Sequence, residues 1–323
     1  EGERMREIKK IPVILDGDPG HDDAIAWVFA KANPVFDIKA VTSVAGNQTL
    51  SKTTYNAMRI CTLLGIDAPI AKGRELPLLS PLITAGNFHG ESGLDGPAMP
   101  EACMQLSELS SVGLMAKVLR ESEEPVTIIA TGPQTNVAAL LLTHPELKSK
   151  IGRISIMGGG LRNGNWTPAA EFNIFEDPEA AQIVFTSGIP VTMCGLDVTE
   201  KAIVYPEDEK RIREIGNQVS GIVADWLDFF FKHHAELGWN GSPLHDPCAV
   251  AVLMKPEIFT TQEMYVEIDI EGHYTRGATI ADWHQSSGNP SNVTAVLGVD
   301  RERFVDLLVE VCKTYEGRKV EIA

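Results

Sequence analysis

A chain of 323 residues, 44% hydrophobic and 22% charged, has the composition of a globular protein and the length for one large or two smaller α/β domains. Its formal net charge of −16 argues against a broad basic face for nucleic acid or anionic lipid and suits a small neutral or cationic ligand. Five scattered cysteines (Cys61, Cys103, Cys194, Cys248 and Cys312), none in a C-x-x-C pair, argue against a disulfide framework or a zinc ribbon.

The charged start, residues 1–10, lacks an apolar signal core and reads as a flexible lead, with Met5 as the expected natural start. No 18-residue apolar span follows, so the expectation is a cytoplasmic protein with no membrane partner. Residues 11–15 read as a buried strand. Residues 22–33 read as a helix with Ala24, Ile25, Val28 and Phe29 on one face. A second strand is predicted over 38–44, and a second helix over 49–64, stopped by Gly65. Strands follow at 126–130, 154–157 and 190–196, with helices near 113–121, 134–142 and 178–186. A late strand is predicted at 264–270. A last helix, 301–315, places Phe304, Leu307, Leu308, Val311 and Tyr315 on one stripe. This alternation predicts an α/β fold, a mainly parallel open sheet with helices on both faces. No charge run or Gly/Ser linker interrupts it, so residues 1–323 read as a single domain. Two long insertions stand out. Residues 76–99 are rich in Pro and Gly. Residues 201–243 look helical, lie near the site, and carry Trp226, Phe229, Phe230, Phe231, His233, His234 and Trp239, whose phenylalanines read as core.

The segment Asp16-Gly17-Asp18-Pro19-Gly20-His21-Asp22-Asp23-Ala24 places four carboxylates within eight residues, directly after an apolar run. Charges that close repel one another, and each loses hydration in a recessed site. A bound cation resolves the conflict, and an all-oxygen donor set favours Ca²⁺ or Mg²⁺. A helix cap accounts for one such Asp, not for four. Other polar signals recur where strands end. These are Gly46-Asn47, Thr131-Gly132-Pro133, Met157-Gly158-Gly159-Gly160 and Asp197, joined by His245-Asp246-Pro247 before an apolar helix. Open parallel sheets bind ligands at that end. G-x-S-x-G, H-E-x-x-H and the phosphate-binding G-x-x-x-x-G-K-[ST] are absent, and Gly158 to Gly160 lack dinucleotide-loop spacing.

With Val44-Ala45-Gly46-Asn47-Gln48-Thr49, His89-Gly90-Glu91-Ser92-Gly93 and Ala170-Glu171-Phe172-Asn173, these segments resemble the nucleoside hydrolases, which cleave the N-glycosidic bond of ribonucleosides to free base and ribose. The resemblance runs from about Pro12 to about Val311. It implies a Ca²⁺ site made by the side chains of Asp18, Asp23 and Asp246 with the Thr131 carbonyl, and Asp18 as general base on a water. It implies that Asp22, Asn47, Asn165, Glu171 and Asn173 hold the ribose hydroxyls, that Met157 lies under the sugar, and that His89 and Phe172 line the base pocket. His245 is implied to contact or protonate the leaving base. The chemistry is coherent, because cleavage develops positive charge on the ribose, which nearby carboxylates stabilise. The family's usual base-site tyrosine does not align. Trp166, His233, His234 and Trp239 are the candidate base contacts in its place. Residues 167–175 look most like bacterial members that prefer uridine and cytidine, although inosine-accepting relatives share the ribose and metal residues. A homodimer or homotetramer is implied.

Two other readings compete. A haloacid-dehalogenase-type phosphohydrolase also places Asp-x-Asp after its first strand, but expects Thr or Val where this chain has Gly20, and does not expect Asp22 and Asp23. A calcium-dependent ribose-binding protein without turnover would use the same grip.

Overall fold

The computed structural model describes residues 9–322; residues 1–8 of the expected flexible lead lie outside the described residues. Along the chain run β1 (Ile11–Gly17), β2 (Phe36–Ser43), β3 (Ile70–Lys72), β4 (Val126–Ala130), β5 (Ile151–Met157) and β6 (Val191–Cys194). They are followed by a small ladder of β7 (Ile203–Val204) with β8 (Ser242–Pro243), then β9 (Phe259–Met264), a hairpin of β10 (Val266–Ile268) with β11 (Thr279–Ala281), and β12 (Val293–Val299). Eight of them form one sheet in the order β3-β2-β1-β4-β5-β6-β12-β9. Every neighbouring pair in it is parallel except the antiparallel β12–β9 edge.

The helices are α1 (His21–Ala32), α2 (Leu50–Leu64), α3 (Gly86–His89), α4 (Ser111–Glu121), α5 (Thr135–Thr143), α6 (Phe172–Glu176), α7 (Pro178–Phe185), α8 (Leu196–Thr199), α9 (Pro206–Arg213), α10 (Gln218–Glu236), α11 (Pro247–Met254) and α12 (Arg301–Lys313). They cover both faces, because strand side chains alternate. Val13 and Leu15 of β1 join the core shared with α1, α2, α10, α11 and α12, whereas Ile14 joins the core shared with α4, α5 and α7. Both faces of the sheet are therefore dry, which explains strands that read as near-continuous apolar runs.

Predicted and observed elements agree for most of the chain, and three differences have physical causes. First, α1 buries every residue from His21 to Ala30, not one face, because α2, α11 and α12 all pack against it. Second, the strand predicted at 264–270 is divided. Met264 ends β9 on the main sheet, while Val266–Ile268 belongs to the separate hairpin. Asn292 accounts for the break. Its side chain accepts the Val266 N–H at 2.8 Å and donates to the Val266 carbonyl at 2.8 Å, satisfying that backbone away from the sheet. Third, three strands of the main sheet, β3, β9 and β12, were not anticipated. β9 is mostly exposed and polar, as suits an edge strand. Gly65 ends α2 with a left-handed φ of 70°, as expected of a C-terminal glycine. Cys61, Cys194, Cys248 and Cys312 are buried free thiols and Cys103 is exposed. Among the described residues no helix is long and apolar enough to cross a membrane.

Candidate active site

β1 and β4 are adjacent, yet the helices that follow them, α1 and α5, pack on opposite faces of the sheet. That divergence opens a crevice at the carboxyl ends of the two strands, the switch point where open α/β sheets bind ligands. Asp16 and Gly17 end β1, Thr131 follows β4, and the Thr131 N–H donates to the Asp16 carbonyl at 2.9 Å. The four acids of the first segment then separate by role.

Asp16 is structural. Its Oδ1 accepts from Thr42 Oγ1 at 2.6 Å and Asn136 Nδ2 at 2.8 Å, tying β1 to β2 and α5. Burial pushes its carboxyl up to about 7. Asp18 is asymmetric: Oδ2 accepts the Asn47 N–H at 2.7 Å, whereas Oδ1 is buried with no partner among the described residues. Backbone crowds it from two sides. A Cβ at Gly46 would overlap Asp18 Oδ2, and one at Gly132 would lie 2.6 Å from Oδ1, so both motif glycines permit a close approach that no other residue allows.

Asp23 Oδ1 accepts from Thr131 Oγ1 at 2.6 Å, and its Oδ2 accepts from the Gly20 N–H at 3.1 Å and Asn47 Nδ2 at 3.2 Å. Asp22 and Asp23 at the start of α1 meet Asp246, at the start of α11, with oxygens of all three within 4.8 Å of one another. Burial is the largest cause holding Asp18 and Asp246 well above the usual carboxylate range, and mutual repulsion adds to it. Asp22 is pushed up to about 7 for the same reasons. Among the described residues no Lys, Arg or His forms an ion pair with any of these acids. Buried carboxylates without a basic partner are costly. A hard divalent cation fits the donors present, all oxygen, and would take up the unpartnered Asp18 Oδ1.

Beside this cluster lies a cavity of about 220 Å³. Asp22, Asn47, Thr131, Met157 and Asp246 line it, as do Asn165, Glu171, Phe172 and Asn173. Asp18 and Asp23 are fully buried next to it without lining it. The ribose candidates are held by the backbone. Glu171 Oε1 accepts the Gly159 N–H at 2.8 Å and its Oε2 accepts the Asn173 N–H at 2.9 Å, with burial pushing the carboxyl up to about 7. Asn173 Nδ2 donates to the carbonyls of Thr131 (2.9 Å) and Met157 (3.1 Å), and Asn165 Oδ1 accepts the Phe172 N–H at 2.9 Å.

The other side is aromatic. His89 and Phe88, from the 76–99 insertion, line it together with Phe230, His234 and Trp239 from the 201–243 insertion. The His21 ring stacks between His89 (centroids 5.4 Å) and Phe229 (4.5 Å), and its Nε2–H donates to the Asp95 carbonyl at 2.7 Å. Trp166 also lines the cavity and meets Phe172 edge-on at 5.0 Å. His245 Nδ1 lies 2.8 Å from Thr199 Oγ1, and burial pushes this imidazole down to about 4. His233 is outside the lining, edge-on to Phe88 at 4.3 Å; its neighbour His234 holds the wall position. His234 and Phe230 are one helical turn apart on α10 and share a face, which His233 does not. Asp197 is also outside the lining. Its Oδ2 accepts the Leu161 N–H at 2.7 Å and steadies the turn after β5. Sequence reasoning missed Thr199, Glu200 and Phe88. Thr199 and Glu200 directly follow the flagged Asp197, but α8 is a single turn with no periodicity to reveal its facing.

The family model described as inosine-uridine preferring nucleoside hydrolase matches residues 13–306. The chain belongs to that family. It is therefore an enzyme, a ribonucleoside hydrolase that cleaves the N-glycosidic bond, and the phosphohydrolase and non-catalytic readings fall away. The pyrimidine-specific ribonucleoside hydrolase RihA of Escherichia coli O127:H6 is 58% identical over 308 residues, covering 94% of this chain and 99% of that one. Among solved structures, a purine-preferring ribonucleoside hydrolase from Gardnerella vaginalis is 32% identical with a TM-score of 0.86, covering 94% of this chain and 99% of that one. A plant nucleoside hydrolase is 30% identical with a TM-score of 0.86 and the same coverage.

Proposed function

We propose that this hydrolase prefers pyrimidine ribonucleosides, uridine and cytidine, with inosine a poorer substrate, and that it works with Ca²⁺. The observation that carries the base preference is the 58% identity, over nearly the full length of both chains, to a protein named as pyrimidine-specific. A purine-preferring enzyme shares the fold at 32% identity, so the preference rests on the aromatic side of the cavity and not on the sheet. Asp18, Asp23 and Asp246 with the Thr131 carbonyl would hold the cation, and Asp22 converges with two of them. Bound there, the ion would neutralise the clustered acids and supply Lewis-acid polarisation of a water.

The chain's own residues do the rest. Asp18, pinned through Oδ2, offers Oδ1 as the base that takes a proton from the attacking water. Asp22, Asn47, Asn165, Glu171 and Asn173 grip the ribose hydroxyls, and Met157 supports the sugar. The acids beside the ring stabilise the positive charge that develops as the C–N bond lengthens. His89 and Phe172 flank the base, Trp166, His234 and Trp239 complete its surroundings, and His245 meets the leaving base. His233 supports this wall through Phe88. On the same resemblance the enzyme is proposed to be a cytoplasmic homodimer or homotetramer.

The test is a panel of uridine, cytidine, inosine and adenosine with chromatographic detection of free base, before and after chelation. Uridine and cytidine are expected to be cleaved fastest, with loss of activity on chelation and recovery with Ca²⁺. Faster cleavage of inosine would overturn the base assignment, and undiminished activity in chelator would overturn the cation.

A further inference from the structure

We propose that Thr199 is a positioning residue that sets the tautomer of His245, so that His245 presents an Nε2–H donor to the leaving base. The inference rests on the reading of His245 as the leaving-base contact and goes beyond it by naming what orients that contact.

Thr199 is fully buried at the end of α8, and its Oγ1 lies 2.8 Å from His245 Nδ1. A helical Thr hydroxyl commonly donates to the carbonyl four residues back. Here that carbonyl, of Gly195, already accepts the N–H groups of Thr199 (3.0 Å) and Val198 (3.1 Å), and the hydroxyl makes no bond to it. His245 Nδ1 is the hydrogen-bond partner found for Oγ1 among the described residues. A buried hydroxyl has one hydrogen to place, and the available acceptor is the Nδ1 lone pair. A neutral imidazole that accepts at Nδ1 carries its hydrogen on Nε2. His245 lines the cavity, and with Nδ1 engaged, Nε2 is the nitrogen left for a ligand. A carboxylate behind Nδ1 would do the reverse and leave Nε2 as an acceptor, which would repel an electron-rich leaving group.

α8 is well anchored for this task. The Leu196 N–H donates to the Gly159 carbonyl at 2.8 Å, and Asp197 holds the Leu161 N–H at 2.7 Å. When the C–N bond breaks, its electron pair passes to the base. Nε2–H donates a hydrogen bond to the charge that gathers there, and the hydrogen stays on Nε2.

The experiment compares Thr199→Val and Thr199→Ser with the wild type on two substrates, uridine and 4-nitrophenyl β-ribofuranoside, whose phenolate leaves without help. For Thr199→Val, kcat on uridine is expected to fall about ten- to a hundredfold with KM nearly unchanged, the pattern of a contact made in the transition state. The nitrophenyl riboside should be turned over within about threefold of wild type, since its leaving group needs no such contact. Thr199→Ser should recover most of the uridine kcat. In ¹⁵N-histidine spectra of the wild-type enzyme, His245 should show an unprotonated Nδ1 and a protonated Nε2, a pattern lost in Thr199→Val. A protonated Nδ1 in the neutral wild-type ring, or equal losses on both substrates, would overturn the proposal. A His245→Ala enzyme that cleaves uridine at the wild-type rate would instead overturn the role of His245 itself, whichever tautomer the spectra report.

Discussion

Asp18, like Asp16, has its two oxygens in different states. Oδ2 is held by the Asn47 N–H, and Oδ1 has no partner among the described residues. Replacing Asp18 by Asn preserves size and removes the basic oxygen. The fold should persist by circular dichroism while kcat on uridine falls by about 10³-fold or more, as expected for loss of a general base; turnover at the wild-type rate would remove Asp18 from that role. Glu176 poses a different residue-scale question. Both its carboxylate oxygens are buried without partners among the described residues, and burial, with the charges of Asp177 and Glu171 adding to it, pushes it up to about 9. The folded state therefore binds this proton more tightly than the unfolded chain does. The associated stability is complete below the ordinary carboxylate range and is lost as pH rises toward 9. Glu176→Gln cannot lose a proton, so its advantage over wild type should grow between pH 5 and pH 9. Thermal melts at those two pH values check this, and parallel wild-type and variant curves would contradict it.

At the scale of elements, helical phase decides which of two adjacent histidines can reach a ligand. His234 lies with Phe230 on the cavity side of α10, its Nδ1–H donating to the Phe230 carbonyl at 2.9 Å. His233 points past it to Phe88. His234→Ala should lower kcat/KM on uridine about tenfold or more, in keeping with the worth of one pocket contact. His233→Ala should change it by less than about threefold, because it removes packing behind the wall. Steady-state kinetics on both variants decide the matter, and the opposite ranking would put the phase assignment in error. The existence of a helix here was legible from its apolar and aromatic residues, whereas its rotation was not, because Phe229, Phe230 and Phe231 offer three consecutive faces to bury. The same ambiguity explains why α1 was expected to bury one stripe and in fact buries all sides.

At the scale of the whole molecule, an ion held by the acid cluster would couple cation binding to stability. Asp18, Asp22, Asp23 and Asp246 arrive from two helix starts and the end of β1, so one ion would bridge α1, α11 and the sheet. A ligand that binds only the folded state stabilises it by about 2.7 kcal/mol at a hundred times its Kd. For a chain of 323 residues that corresponds to a rise of roughly 4 °C in Tm. Adding Ca²⁺ to the chelated protein should produce such a rise, and chelator should reverse it. A melting temperature indifferent to both would argue that these acids hold no ion.

The sequence by itself determined the class of fold, the family and most of the cavity, for a physical reason. Strand–helix alternation is a local pattern, and the motifs cluster at strand ends because the backbone must turn there. Gly46 and Gly132 were legible as motif residues, and their close approach to Asp18 explains why glycine stands at each. Only the tertiary structure decided where each acid sits. Asp16 and Asp18 are two residues apart and chemically identical, and each keeps one unpartnered oxygen among the described residues, yet Thr42 and Asn136 tie Asp16 into the sheet while Asp18 meets Asn47 and the two motif glycines. It also brought Asp246 to Asp22 and Asp23, and Thr199 to His245, across separations that no local periodicity encodes. Those meetings depend on how α1, α8 and α11 pack on the sheet, and packing is a property of all the residues together.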